Sequence, residues 1–186
     1  MKRVIPLILL TLLALSCREN EARWPVEVKG GSFLSQSAER NRRLLEQEEA
    51  VMARLIAEDS AHTYLASSSG SRYYYLRRND GAGYLPQPDD LVTLSYEVLS
   101  WGNDTLYSRP EIGILRYKVD KQELFPGLRS SVKLLQEGES AVFYYPSSLA
   151  YGYHGDNDRI GPNIPIKVHL EILNIEKQSD TIASNP

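Results

Sequence analysis

Residues 141–172 read AVFYYPSSLAYGYHGDNDRIGPNIPIKVHLEI, and this stretch sets the fold class. At its start Ala141, Phe143 and Tyr145 alternate with the residues between them, which is the period of a strand. At its end Ile166, Val168, Leu170 and Ile172 fall on one face of a second strand. Between the two, from Pro146 to Pro165, glycine, proline, asparagine and aspartate accumulate and no period survives. The reading is two strands joined by one long loop. Tyr151 lies between Ala150 and Gly152 in that loop, where binding and catalytic residues concentrate.

Upstream of this stretch Pro126 opens a short helix that puts Leu128, Val132 and Leu135 on one face, with Gly138 as its expected end. Glu137 and Glu139 are read as solvated turn residues. Further upstream Val92, Leu94, Tyr96 and Val98 alternate with Thr93, Ser95 and Glu97, the pattern of a half-buried strand. Shorter strands are expected over 73–77, 105–108 and 114–119, with turns at Asn79-Asp80-Gly81 and Trp101-Gly102-Asn103-Asp104. Many strands with one short helix among them indicate an α+β domain, an antiparallel sheet wrapped around that helix.

A longer helix precedes the domain. Leu44, Leu45, Val51, Met52, Leu55 and Ile56 recur at helical spacing, with Ser37 as N-cap and an end near Ser60. Arg42, Arg43, Glu46, Glu48, Glu49, Arg54 and Glu58 read as its wet face. The apolar stripe either docks on the following domain or pairs with a second copy, giving a homodimer through residues 40–60. Docking is preferred, because a sustained heptad is absent. The divisions expected are therefore a helical extension over 37–70, the α+β domain over 71–177 and a loose polar tail over 178–186.

A net charge of −3 gives no basic footprint, so nucleic acid is not an expected partner. Twelve tyrosines stand beside three phenylalanines, which suits the walls of half-wet pockets as well as strand packing. The single cysteine, Cys17, rules out an internal disulfide and draws attention to its position. Lys2 and Arg3 precede a nearly unbroken apolar run from Val4 to Ala14, too short for a comfortable membrane span of about 20 residues. It reads as a secretory signal over 1–16. Leu13-Ala14-Leu15-Ser16-Cys17 resembles a bacterial lipobox. That resemblance implies an acylated Cys17 as mature N-terminus, followed by a tether over 17–36. Its expected location is the cell envelope, at the outer membrane facing the periplasm.

Residues from about Asp89 to Glu176 resemble an FKBP-type peptidyl-prolyl cis-trans isomerase. The resemblance is carried by Val92-Thr93-Leu94-Ser95-Tyr96-Glu97-Val98-Leu99, Glu123-Leu124-Phe125-Pro126-Gly127-Leu128 and Leu135-Gln136-Glu137-Gly138-Glu139. It continues in Pro146-Ser147-Ser148-Leu149-Ala150-Tyr151-Gly152, Ile160-Gly161-Pro162-Asn163-Ile164-Pro165-Ile166 and Val168-His169-Leu170-Glu171-Ile172-Leu173. With the preceding helix, Tyr73-Tyr74-Tyr75 and the lipobox, the chain is also similar to the gliding-motility-associated lipoprotein isomerases of Bacteroidetes.

The resemblance implies a proline-binding pocket, and X–Pro segments of exported polypeptides as partners. Tyr96, Phe125 and Tyr151 would be its catalytic residues. The Phe125 backbone N–H would bond a substrate carbonyl, and Tyr151 would offer its hydroxyl to the substrate backbone. Leu106 and either Leu115 or Tyr117 would form one wall, Leu124 a side and Leu128 the floor. Ile160 would sit on an overhanging loop, and Val168 would complete the base. Macrolides are a further candidate ligand. Tyr107 stands where the family often carries aspartate, which removes one polar contact and weighs against tight macrolide binding.

The chemistry explains these residue types. An X–Pro bond turns over a barrier of about 18–20 kcal/mol because the amide is conjugated. Twisting it reduces charge separation between nitrogen and oxygen, so a dry aromatic pocket favours the twisted form over the planar one that water stabilises. Binding that form more tightly suffices for catalysis. No cofactor or metal is expected, since cysteine pairs are absent and His62, His154 and His169 fall in no ligand spacing. The rival reading is a non-catalytic chaperone, or a structural part of an export or motility machine, that holds an extended proline segment.

Overall fold

The computed structural model describes residues 30–178. The expected signal, the acylated Cys17, most of the tether and nearly all of the tail lie outside them. Two compact units are distinguished, 1–38 and 39–186. Of the first, the described part is helical from Gly30. The second carries the rest of that helix and the whole sheet.

Helix α1 (Gly30–Glu58) begins earlier than the Ser37 cap read from the sequence, and reaches into the segment expected as tether. Once a helix is nucleated, extending it through Ser35, Gln36 and Ser37 costs a few tenths of a kcal/mol per residue, so a capping residue need not stop it. Its exposed side carries Glu39–Arg43 and Glu39–Arg42 ion pairs. Its other side holds Leu44, Leu45, Met52, Leu55 and Ile56, with Met52 fully packed against Val142 and Tyr144 of the sheet. The stripe is therefore docked on the chain's own domain. Glu48, read as part of the wet face, is instead buried in the middle of this stripe.

The strands are β1 (Leu65–Ala66), β2 (Arg72–Arg77), β3 (Leu91–Ser100), β4 (Thr105–Tyr107), β5 (Ile114–Lys118), β6 (Ser140–Tyr145) and β7 (Ile166–Glu176). β1 and the Ser67–Gly70 turn do not belong to the helical extension expected over 37–70. They form a hairpin with β2, closed by the Ser67 N–H on the Ser71 carbonyl, with Gly70 at φ +98°. The sheet is antiparallel throughout, in the order β1-β2-β6-β7-β3-β4, and β5 also pairs with β3. β4 and β5 divide one edge of β3 between them: β5 covers Leu91–Ser95, and β4 covers Val98 and Leu99. Between them sits a one-turn helix, α2 (Arg109–Ile112). The Ser108-x-x-Glu111 capping box fixes its start and Pro110 its first turn, a local signal that strand periodicity alone does not reveal.

Helix α3 (Pro126–Val132) lies across the inner face of the sheet. Leu128, Val132 and Leu135 meet Val92, Leu94, Phe143, Tyr145, Val168, Leu170 and Ile172 there, all of them essentially inaccessible. The expected end of α3 at Gly138 is displaced to Val132, where the chain tightens into a turn closed by Leu134 N–H on the Ser131 carbonyl. Gly138, at φ +79°, serves the turn into β6. The neighbouring Glu139 is not solvated. It is 2% exposed and accepts the N–H groups of Asn79 and Gln136, which hold that turn together. Gln178, read as the start of the loose tail, donates its N–H to Asp90.

β6 is buried at every position, because α3 covers one face and α1, Tyr64, Tyr74 and Trp101 cover the other. At 25 cal/mol per Å², a fully buried aromatic or aliphatic side chain contributes about 1.5–3 kcal/mol, so this doubly covered strand anchors both layers.

Candidate active site

The long loop read from the sequence leaves β6 through a 3₁₀ turn, Ser147–Leu149, and returns at β7. It carries Tyr151 over the inner face toward Phe125, which immediately precedes α3; the two rings lie 5.2 Å apart. The edge of the Phe125 ring also meets Tyr145, at 5.7 Å. α3 can approach the sheet this closely because residue 127 is glycine. A Cβ there would come within 2.6 Å of the Tyr145 ring and 2.8 Å of the Leu149 carbonyl.

An open cleft of about 580 Å³ results, lined by Tyr96, Leu124, Phe125, Pro126, Ala150 and Tyr151, with Glu123 and Arg129 at its rim. A second cleft of about 390 Å³ adjoins it, sharing Tyr96 and Tyr151 and extending to Val98, Tyr107, Ile112, Asp156 and Asp158. Of the residues expected at the site, Tyr96, Leu124, Phe125 and Tyr151 come together on this surface. Leu128 and Val168 are wholly buried in the cluster beneath and act as foundation rather than lining.

Others differ from expectation. Ile160 does not overhang the cleft; it is 2% exposed and packed into the core, bound to Asp156 through both its N–H and its carbonyl. Tyr117 is a core residue paired with Val92, its hydroxyl accepting the Asp120 N–H. Leu115 and Leu106 are half-buried against the core and line neither cleft, while Ile112 and Val98 take up the wall they were expected to form. The reason is α2. Its insertion between β4 and β5 turns Ile112 toward the groove, and no strand-by-strand reading anticipates that.

Tyr107, standing where an acid was expected, meets one supplied by the loop. Its hydroxyl donates to Asp156 Oδ2 at 2.5 Å and reaches Asp158 at 3.2 Å. Asp156 Oδ1 in turn accepts the N–H groups of Asp158 and Ile160. The Arg159 guanidinium lies 4.8 Å over the Tyr107 ring, bonds the Leu106 carbonyl and pairs with Glu111. Burial alone would raise the Asp156 pKa. The Tyr107 hydroxyl and the backbone N–H groups outweigh it and hold the carboxyl below its ordinary value. The same hydrogen bond is the main cause that pushes Tyr107 up to about 12.

Burial raises Tyr96, and it raises Tyr151 further, with Tyr96, Asp156 and Tyr107 adding to the effect. Both phenols are neutral donors at any physiological pH. Among the described residues, neither hydroxyl has a hydrogen-bond partner within the protein, and no acceptor takes the Phe125 N–H. The cleft thus presents aromatic walls with uncommitted donors, suited to an extended peptide whose carbonyls need partners. It holds no nucleophile–base pair. A separate cavity of about 510 Å³ lies between α1 and the β1–β2 hairpin, lined among others by Met52, Ile56, Tyr64 and Arg72. It is on the other face of the sheet and has none of this arrangement.

Residues 83–173 match the family model described as FKBP-type peptidyl-prolyl cis-trans isomerase. The chain is 32% identical over 142 residues to a protein of Neisseria meningitidis serogroup B named "Probable FKBP-type peptidyl-prolyl cis-trans isomerase FkpA", covering 76% of this chain and 50% of that one. It therefore spans about half the length of that relative. Among solved structures it is similar to a peptidyl-prolyl cis-trans isomerase of Pseudomonas syringae pv. tomato, with TM-score 0.56, 20% identity and coverage of 73% of this chain and 96% of that one. FkpA from Escherichia coli gives TM-score 0.57 and 20% identity, covering 92% of this chain and 81% of that one. At such identities the structural likeness bears on the fold.

Proposed function

We propose, from the match of residues 83–173 to the FKBP-type peptidyl-prolyl cis-trans isomerase model and the 32% identity to the Neisseria protein, that the chain is an isomerase of that family and catalyses rotation about X–Pro bonds of exported polypeptides in a bacterial envelope. The observation that carries this reading is the convergence of Tyr96, Phe125 and Tyr151 on one apolar cleft whose donors are uncommitted. A prolyl ring enters between Phe125 and Tyr96. The preceding carbonyl, shielded from water by these walls, loses part of the solvation that favours the planar imide. The Phe125 N–H and the Tyr151 hydroxyl hold the flanking backbone while the bond turns. No proton is transferred, so the raised tyrosine pKa values serve to keep the donors protonated rather than to supply an acid.

The finer placement is part of the same proposal. Leu13-Ala14-Leu15-Ser16-Cys17 supports a lipid anchor at Cys17, with the domain held at the outer membrane and facing the periplasm. The resemblance to gliding-motility lipoproteins supports that narrower group. Slow proline steps limit the folding of many chains, which gives a surface-held catalyst its use.

The test is the cis–trans rate of a short X–Pro peptide with and without the protein, alongside a proline-limited refolding reaction. Acceleration of both supports an isomerase. Peptide binding without acceleration would replace it with the non-catalytic holding reading, which Tyr107 in place of the usual acid favours.

A further inference from the structure

Glu48 occupies a position on α1 where the docking face calls for an apolar residue, between Leu44 and Met52. Its relative exposure is 7%. Burying an acid without a cation is unfavourable, and among the described residues no lysine or arginine pairs with it. Its Oε2 accepts the N–H of Ser147 at 2.8 Å. Its Oε1 is buried without a hydrogen-bond partner. The residue lines a small cavity of about 120 Å³ together with Leu44, Ser148, Gly152 and Asn163. A helix that had only to dock would be better served by leucine here.

Ser147 explains why the acid is worth its desolvation. Its carbonyl accepts two N–H groups, from Ala150 at 3.1 Å and from Gly152 at 2.9 Å, the residues on either side of Tyr151. Gly152 is held again from its carbonyl side by the Asn163 N–H at 2.7 Å. The backbone that carries Tyr151 therefore hangs from Ser147, and Ser147 is fixed to α1 by the buried 2.8 Å hydrogen bond from its N–H to Glu48.

We propose that Glu48 is a positioning residue for the isomerase cleft: the helix before the domain sets the place of Tyr151 through the Ser147 amide. The inference rests on the reading of Tyr151 as a donor to the substrate backbone. It makes α1 part of the catalytic apparatus rather than a spacer. A misplacement of about 1 Å in a substrate-positioning group can cost up to 100-fold in rate.

The experiment is a double-mutant cycle in the full chain, reading kcat/KM on a short X–Pro peptide for Glu48→Ala, Tyr151→Phe and the pair, with Glu48→Gln as the conservative variant. Glu48→Ala is expected to lower kcat/KM about three- to fivefold, no more than loss of the Tyr151 hydroxyl itself, and Glu48→Gln, which keeps an acceptor for Ser147, to stay within twofold of the parent. With Phe at position 151 the Glu48→Ala loss is expected to fall to twofold or less, since a residue acting through the Tyr151 hydroxyl has nothing left to position. Glu48→Asp, which draws the acceptor back by one methylene, gives the same cycle should the alanine variant not fold. An additive cycle, a Gln variant as slow as Ala, or an unchanged Glu48→Ala rate overturns the inference alone. A parent no faster than the uncatalysed reaction overturns the isomerase reading and this inference with it.

Discussion

Tyr145→Phe removes one oxygen from beneath the cleft. Tyr145 and Ser131 are both wholly inaccessible, and the tyrosine hydroxyl donates to Ser131 Oγ at 2.7 Å, joining β6 to α3. Phenylalanine keeps the ring, so its stacking on Phe143 and the Phe125 edge contact survive. What remains is the Ser131 hydroxyl in an apolar cluster without its partner. A buried polar group so orphaned costs about 1–3 kcal/mol. Relief of the phenol's own desolvation offsets part of that, leaving an expected loss of about 1–2 kcal/mol. For a protein of this size that is roughly 2–8 °C in Tm.

Burial drives the Tyr145 hydroxyl far above its ordinary pKa, with only Ser131 opposing, so the phenol stays neutral and the loss should not vary between pH 6 and 9. Ser131→Ala should cost a similar amount by orphaning the phenol. The double variant should cost less than the sum, because removing both partners leaves nothing unsatisfied. Urea denaturation followed by tryptophan fluorescence measures all three. Two single variants each within about 0.5 kcal/mol of the parent, or a strictly additive double, would refute the reasoning. Isomerase rate should remain within twofold of the parent throughout, since the cleft meets Tyr145 only through its ring.

Three other outcomes are expected from the same geometry. Tyr151→Phe should reduce kcat/KM by about three- to tenfold, the worth of one neutral hydrogen bond, and the parent's rate should be flat from pH 6 to 9 because both cleft phenols stay protonated. Gly127→Ala should destabilise by about 1–3 kcal/mol through overpacking against the Tyr145 ring and the Leu149 carbonyl, and should raise KM in the peptide assay as Phe125 is displaced. Asp156 has a folded pKa below its ordinary 3.8, so its support is complete above that value and is lost as the pH falls through the lowered one. Asp156→Asn should therefore flatten the acid limb of a pH–stability curve and, in a tyrosine-selective NMR titration, bring Tyr107 down from about 12 toward 10.

Much of this protein is written in local sequence. Period-two alternation in β3, β6 and β7 and the proline that opens α3 are short-range signals, because strand faces and helix starts depend on neighbouring residues. The order of motifs from Asp89 to Glu176 carries the resemblance to FKBP-type isomerases, and that resemblance implies the pocket in which Tyr96, Phe125 and Tyr151 meet. The tertiary structure alone decided what lies opposite what. The same charged-residue pattern that makes Glu39 and Arg43 a surface pair places Glu48 in the interior, since only the position of β6 and the 146–165 loop determines which side of α1 is wet. Tyr107 reads as a missing acid in the sequence, and only the fold of the loop brings Asp156 to its hydroxyl. Ile112 replaces Leu115 and Tyr117 at the cleft for a comparable reason: α2 turns the chain between two strands, and a side chain's contacts there are set by that turn rather than by its own period.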